Sequence, residues 1–394
     1  MVRLMFFMPQ FPGFGGIETV SANLIEYLGK DMEIYVFALK RAEGMEVPEC
    51  LKGVFIPKSG KRAAITEYYN EVVNSCGITH VISQGGFSHL TRIVLNKKRN
   101  KDVKVITAFH GMPGYELIEF EGLKKVSDAR NKKKLKWKLY WFLGLGEAVL
   151  EFKRRKYHRI FADSFKRACS KGDRIVLLSD GYVDSFVSLY KLEKWREKVV
   201  AIPNPCPLKY ADVVPLPGDL RADEVLYVGR LSHDKGLSFL IDVWSRIKDR
   251  GGWKFRIVGD GPAREALEAK VRDSGIGDVV FDGYAVEPGR FYKRAKILLL
   301  ASDFEGFGMC LLEGERFGVV PVAVDISAGV RDVVSEGAGV LVEKRDADKM
   351  ASAVQTLMDD GSYWEEMSRN AFAHSKKFSI GPIGGQWRNL IMSL

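Results

Sequence analysis

The sequence predicts an α/β fold of two doubly wound, parallel-sheet halves, and three observations carry that expectation. Short β-rich apolar runs alternate with helical stretches throughout, the pattern of parallel sheets wrapped by helices. The chain has 394 residues, more than one hydrophobic core usually organises, so two domains of about 200 residues each follow. Between them IPNPCPLKYADVVPLPGD, residues 202 to 219, carries five prolines that interrupt helix and strand ladder alike and mark a linker. The expected division is an N-terminal domain over 1–207, a C-terminal domain over 208–375, and a closing helix over 376–394 that packs back on the first domain.

Strands are expected at VRLMFFM, EIYVFAL, HVISQG, VKVITAF, RIVLLS and VVAIP in the first half. In the second they fall at EVLYVG, KFRIVG, VVFDG, ILLLAS, VPVAV and GVLVE, with helices between. The composition, 46% hydrophobic and 28% charged, suits a soluble globular chain with a sizeable core. MVRLMFFMPQ has five consecutive apolar residues before Pro9, too few for a secretory signal, and no later run is long enough to span a bilayer. A cytoplasmic protein is expected. Five cysteines without a Cys-x-x-Cys pair do not suggest a disulfide framework, and six histidines without ligand spacing suggest no metal.

The formal charge is +10, but its distribution says more. Residues 1–207 hold 35 Lys/Arg against 22 Asp/Glu, net +13, and residues 208–394 hold 25 against 28, net −3. A polyanionic partner would therefore meet the first half. The basic character peaks at residues 124–159, with thirteen Lys/Arg against three acids and with Trp137, Tyr140, Trp141 and Phe142 interleaved. One reading is a helix packed on Leu135, Leu139 and Phe142 with its lysines solvated. The other is an anionic membrane surface met by Lys132, Lys133, Lys134, Trp137 and Trp141, with the aromatic rings at headgroup depth. No nucleic-acid fold signature is present, so that partner is not expected.

In PQFPGFGGIETVSANLIEYL the first strand ends in a glycine turn, Gly13, Gly15 and Gly16, before an amphipathic helix. Free amides at a helix start favour an anion, although a plain tight turn is an equally simple reading. A dinucleotide fingerprint would place glycine where Glu18 stands, so a nicotinamide cofactor is not expected. EVLYVGRLSHDKG, residues 224 to 236, runs from a strand into Gly229 and Arg230, with Lys235 just before the next helix. Two cations at the carboxyl end of a parallel strand can flank a diphosphate, or stay solvated. RIVGDGPAREALE repeats the strand, glycine and helix order at Gly259, with Pro262 at a helix start.

EGFGMCLLE, residues 305 to 313, places Glu305 in the loop after the strand ILLLAS and Glu313 about one turn into a helix starting near Met309. Such a pair could be the acid and nucleophile of a glycoside hydrolase, about 5–9.5 Å apart. It could equally hold sugar hydroxyls, with the amides of Gly306 to Gly308 between the two acids.

This run, with the GVVPVA strand after it and GRLSHDKG, IVGDGP and GVRDVVSEGAGVLVEKRDADKMASAV in the same order, resembles the signature of the retaining glycosyltransferases of family 4, or group 1. The resemblance is close over 224–380; in the first half only GGIE, HG at 110–111 and IPN carry it. It implies the GT-B fold, two Rossmann-like domains facing across a cleft. It implies that Arg230 and Lys235 hold a donor diphosphate, that Glu313 takes the ribose hydroxyls, and that Glu305 with the amides of Gly306, Phe307 and Gly308 takes the transferred sugar. Gly229 and Gly259 would line the nucleotide site. Gly16, beside Gly15, would let the first loop approach the donor phosphates, and His110 would lie near the sugar's reacting face. The chain departs from the pattern at Glu315 and Arg316, where small apolar residues are frequent in the family.

The activity so implied is transfer of a hexose or N-acetylhexosamine, with a UDP-sugar favoured as donor, to a glycan or lipid-linked glycan in surface polysaccharide or lipopolysaccharide synthesis. It would proceed with retention, without metal or further cofactor, at the inner face of the cytoplasmic membrane. The alternatives are a non-hydrolysing nucleotide-sugar epimerase on the same scaffold, and a non-catalytic membrane-surface adaptor, which would leave the acid and cation pairs without a task.

Overall fold

The computed structural model describes residues 1–13, 15–84, 91–96, 102–117, 146–335, 337–343 and 345–394. Lys132, Lys133, Lys134, Trp137 and Trp141, the residues expected at a membrane surface, lie outside them. The chain forms two compact units, Met1–Ile202 with Trp387–Leu394, and Pro203–Gln386. The division precedes the boundary expected at 207, so all five linker prolines belong to the second unit.

Unit 1 runs β1 (Arg3–Gln10), α1 (Gly16–Leu28), β2 (Glu33–Lys40), β3 (Leu51–Phe55), α2 (Arg62–Ser75), β4 (His80–Ser83), α3 (Thr91–Val94), β5 (Lys104–Ala108), α4 (Gly146–Lys171), β6 (Arg174–Leu177), α5 (Val183–Tyr190) and β7 (Val199–Ala201). Its strands form one sheet in the order β3-β2-β1-β4-β5-β6-β7, and every pairing is parallel. The strand Leu51–Phe55 was not among those expected. Its sequence LKGVF is short, broken by a lysine and a glycine and only partly buried, so it lacks the apolar run that identifies the interior strands.

Unit 2 runs β8 (Glu224–Val228), α6 (Leu237–Arg246), β9 (Lys254–Val258), α7 (Arg264–Asp273), β10 (Val279–Gly283), α8 (Gly289–Arg294), β11 (Ile297–Leu300), α9 (Met309–Arg316), β12 (Val320–Asp325), α10 (Ala328–Val333), β13 (Val340–Glu343), α11 (Ala347–Asp359) and α12 (Gly361–Ser375). Its parallel sheet has the order β10-β9-β8-β11-β12-β13. Helix α13 (Ile380–Met392) follows, and its Arg388, which belongs to unit 1 as Asp31 does, meets Asp31 at 3.4 Å.

Burial explains the strand sequences. All four residues of β11, ILLL, are buried, as a central parallel strand covered by helices on both faces requires. Around it Val225, Trp244, Phe255, Leu299 and Val322 form one core, and the Trp244 indole donates to Asp278 at 2.9 Å. In unit 1 the rings of Phe7, Phe37 and Tyr69 pack with centroids 5.4–5.6 Å apart.

The strand orders also fix where loops can form a site. In each sheet the winding reverses once, between β1 and β4 in unit 1 and between β8 and β11 in unit 2. Ligands of open α/β sheets bind beyond the carboxyl ends of the strands at such a switch point. In unit 2 the two flanking loops are the ones bearing Arg230 and Lys235, after β8, and Glu305, after β11.

Candidate functional site

The loop after β8 is set by a buried tyrosine that sequence reading did not single out. Tyr227 is only 4% exposed, and its hydroxyl donates to the carbonyl of Arg230 at 3.1 Å. A lone hydroxyl in the apolar strand EVLYV, two residues before Gly229, is the signal that could have found it. Burial first, then the nearby Cys310, Glu305 and Asp234, disfavours ionisation of that phenol. Gly259 lets the next loop close in, because a methyl there would run into the Gly229 carbonyl. Hydrogen bonds from Leu231 N to Asp260 O and from Ala263 N to Leu231 O, both 2.9 Å, lace these two loops together.

Across the switch point the structure brings Lys235 and Glu305 into contact, Nζ donating to Oε2 at 2.8 Å, with both side chains about three-quarters buried. Burial alone would lower the lysine pKa, but the Glu305 charge and hydrogen bond outweigh it and leave it raised. Lys235 is therefore a fixed cation. A backbone bond, Asp303 N to Asp234 O at 2.7 Å, ties the same two loops. Arg230 stands apart, its side chain 67% exposed and its guanidinium 3.9 Å from Asp234. A long, solvated cation of this kind can reach toward an incoming anion.

Helix α9 begins at Met309, as its sequence predicts, with Gly308 as N-cap at φ 77°, a left-handed conformation that suits glycine. Gly306 and Phe307 precede it, with Phe307 buried. The two acids of EGFGMCLLE have different partners. Glu313 is partly buried and accepts from the Tyr292 hydroxyl at 3.0 Å. Burial pushes its carboxyl up to about 7, against the lowering effect of that hydrogen bond. Tyr210, Phe317 and Tyr292 form an aromatic wall beside it, with successive centroids at 4.9 and 5.7 Å. Glu315 and Arg316, which depart from the family pattern, serve packing. Glu315 is fully buried against His374 of α12, and Arg316 donates to the carbonyls of Tyr210 and Ala211.

In unit 1, Gly15 caps α1 and Gly16 begins it. The carboxylate of Glu18 folds back against Gly13 and Gly15, so an anion already lies at this turn. His110 follows β5, and its Nε2 lies 2.5 Å from Oε1 of the buried Gln84, which follows the adjacent strand β4. Gln84 is a second residue that sequence reading missed. Only the pairing of β4 with β5 brings it beside His110.

Among the described residues no group of His, Cys, Asp and Glu has the arrangement of a metal site, and no helix is long and apolar enough to cross a membrane. All five cysteines are free.

Residues 222–360 match the family model described as glycosyl transferases group 1. Solved structures cover essentially the whole chain. The lipopolysaccharide outer core galactosyltransferase WaaB, in its apo form, aligns with a TM-score of 0.69 at 20% identity over 100% of this chain and 99% of that one. Anabaena Alr3699/HepE, in complex with UDP and glucose, aligns with a TM-score of 0.74 at 15% identity over 99% of this chain and 100% of that one. The chain has the GT-B fold. Identities at this level establish architecture alone. Among curated proteins, the chain is 30% identical over 203 residues, 50% of its length, to the Campylobacter jejuni GalNAc-alpha-(1->4)-GalNAc-alpha-(1->3)-diNAcBac-PP-undecaprenol alpha-1,4-N-acetyl-D-galactosaminyltransferase. The match spans 56% of that relative, and this GT-B chain covers between 24% and 66% of the first three curated relatives.

Proposed function

We propose that this chain is a retaining glycosyltransferase that moves a hexose or N-acetylhexosamine from a nucleotide diphosphate donor, with UDP favoured, to a glycan or lipid-linked glycan. The product would belong to a surface polysaccharide or lipopolysaccharide, made at the cytoplasmic face of a membrane. The observation that carries this reading is the Lys235–Glu305 pair at the β8/β11 switch point, beside the reaching Arg230. It puts cations for a diphosphate and a carboxylate for sugar hydroxyls on two adjoining loops. The group 1 match over the same residues, the UDP held by the Anabaena neighbour and the undecaprenol-linked acceptor named for the Campylobacter relative support it.

In this scheme the bond from the sugar's anomeric carbon to the β-phosphate oxygen breaks, and the acceptor oxygen bonds to the same face. The acceptor's proton passes to an oxygen of the departing diphosphate, so no enzyme nucleophile is needed. Catalysis rests on positioning and charge: Arg230, Lys235 and the amides of residues 306–308 neutralise the leaving group, with Glu305 orienting the sugar. Glu313 accepts hydrogen bonds from the ribose hydroxyls, and His110, its ring held by Gln84, contributes to catalysis from unit 1. No further cofactor and no metal enter the scheme.

Membrane contact draws support from α4. Phe152, Lys156, Arg159 and Ile160 recur at i, i+4, i+7 and i+8 and are all exposed, placing two cations and two apolar side chains on one stripe. Such a stripe suits an anionic lipid surface.

The test is incubation with UDP-, GDP- and ADP-sugars and a lipid-linked glycan in neutral or anionic vesicles. Expected are UDP release that requires acceptor, a product with the donor's anomeric configuration by NMR, and faster turnover on anionic vesicles. Cleavage of a preformed glycan without nucleotide would overturn the reading in favour of a hydrolase.

A further inference from the structure

Arg345 lies in the turn between β13 and α11, on the far edge of the unit 2 sheet from β8 in sequence terms, yet its guanidinium reaches the loop that carries Glu305. Nη1 meets the Asp303 carboxylate at 2.8 Å and Nη2 donates to the Ala301 carbonyl at 2.6 Å. The guanidinium carbon lies 5.9 Å from the centre of the Phe239 ring on α6. The fork thus grips two acceptors two residues apart, at the point where β11 becomes loop. Asp303 in turn donates its amide to Asp234, the neighbour of Lys235. Gly236 completes the packing, since a methyl there would meet both the Ala301 carbonyl and the Arg345 guanidinium.

We propose that Arg345 is a positioning residue that staples the start of the β11 loop to the β13–α11 turn and, through the Asp303–Asp234 backbone bond, sets the placement of Glu305 and Lys235. The inference rests on the glycosyltransferase reading only for its kinetic arm. Its physical basis is the geometry of the fork. A planar guanidinium holds a carboxylate and a carbonyl at once with little rotational freedom, which a single ammonium does not. Displacing catalytic groups by about 1 Å costs up to about 100-fold in rate, so a staple outside the site acts on kcat through the residues it holds.

Arg246 supplies the internal control. It lines the same shallow surface pocket beside Phe239, Asp348 and Lys349, but its partners are Asp348, at 3.0 Å, and the Asp242 carbonyl. Neither belongs to the loops that bear Lys235 and Glu305.

The experiment compares Arg345→Ala, Arg345→Lys and Arg246→Ala in the full chain by amide hydrogen exchange without ligand and by steady-state kinetics with a UDP-sugar. Arg345→Ala is expected to exchange faster over residues 301–308 and 230–236 and to lose about 10- to 100-fold in kcat, with donor KM within about threefold. Arg345→Lys should keep the wild-type melting temperature and recover only part of kcat, because one ammonium cannot hold both acceptors. Arg246→Ala should match wild type in both loops and in kcat. Unchanged exchange in Arg345→Ala overturns the staple. So does full recovery of kcat by lysine, which would leave only a generic charge. Were wild type to transfer no sugar from any donor, the function proposed above would fail by itself, and hydrogen exchange would still decide the staple.

Discussion

The two units share one plan and hold their switch points differently. In unit 2 the loops after β8 and β11 are joined by Lys235–Glu305 and by Asp303 N to Asp234 O, and the β8 loop is braced by the tyrosine under Arg230. In unit 1 the glycine turn after β1 has a carboxylate from its own helix folded against it, and the loops after β4 and β5 are linked through Gln84 and His110. The lesson is that a doubly wound sheet supplies a place for a ligand, while the density of cross-loop contacts decides how sharply that place is built. The candidate site of unit 2 is the more densely cross-linked of the two, and the switch point of unit 1 carries fewer such contacts.

The sharpest way to break that comparison is Lys235→Ala. If the β8/β11 pair neutralises a leaving diphosphate, kcat should fall by about 10²–10³-fold, the usual cost of deleting one preorganised donor to developing charge. The folded protein should keep its circular dichroism, since the ion pair is one contact in a loop. A loss below about threefold, measured with saturating UDP-sugar, would leave the switch point of unit 2 no more catalytic than that of unit 1.

Glu313 tests the other acid of the same unit. If it accepts ribose hydroxyls as proposed, Glu313→Ala should weaken donor affinity about 10- to 100-fold, because hydrogen bonds to charged groups contribute about 1.5–3 kcal/mol each. The pH dependence gives a second reading. Burial holds the free carboxyl at about 7, and hydroxyl donors favour its ionised form, so binding releases a proton. Affinity for a sugar nucleotide should rise by up to about tenfold per pH unit below pH 7 and level off above it. Calorimetry in buffers of different ionisation enthalpy would detect the proton, and Glu313→Gln should abolish the slope. In the ligand-free protein the same raised pKa works against stability as pH climbs from the ordinary carboxylate value of 4.5 to about 7.

His110 probes the other unit, with a smaller effect. Its Ala variant should lose about tenfold in kcat, the order of one hydrogen bond to the substrate, and keep the UDP affinity of wild type. A change in UDP affinity equal to that of Glu313→Ala would erase the difference between the two units.

The comparison also explains what was legible in the sequence. The unit 2 site was readable because its parts are local: a strand, a glycine, then Arg230 and Lys235 within six residues, and two acids separated by seven. Strand periodicity located nearly every strand for the same reason, since a buried parallel strand is a continuous apolar run. The Leu51–Phe55 strand lacks such a run and escaped. Gln84 and Tyr292 escaped for another reason. They acquire meaning only through contacts with residues 26 and 21 positions away, which no spacing rule encodes. Arg345 is the extreme case, reaching across 42 and 44 positions to loop atoms.

The smallest effect concerns Glu315, two residues beyond Glu313 on the same helix, α9, where the chain departs from the pattern it resembles. Its carboxyl is fully buried, 3.3 Å from Nδ1 of His374, and burial raises its pKa well above the ordinary 4.5. Burial likewise lowers the pKa of His374, so burial opposes charge on both partners. An acid that keeps its proton when folded destabilises the fold progressively as pH rises above 4.5, because the unfolded chain sheds the proton that the native state retains. Glu315→Gln preserves shape and hydrogen-bonding capacity and removes that slope. At pH 5 its unfolding free energy should lie within about 1 kcal/mol of wild type, and the variant should gain on wild type steadily toward pH 8. The lowered His374 pKa acts in the opposite direction, weakening the fold below pH 6.5, and it is common to both proteins. Urea titrations at pH 5, 6, 7 and 8 would measure the difference. Parallel stability curves would mean that Glu315 is ionised in the folded state, and its contact with His374 would then be an ion pair instead of a neutral one.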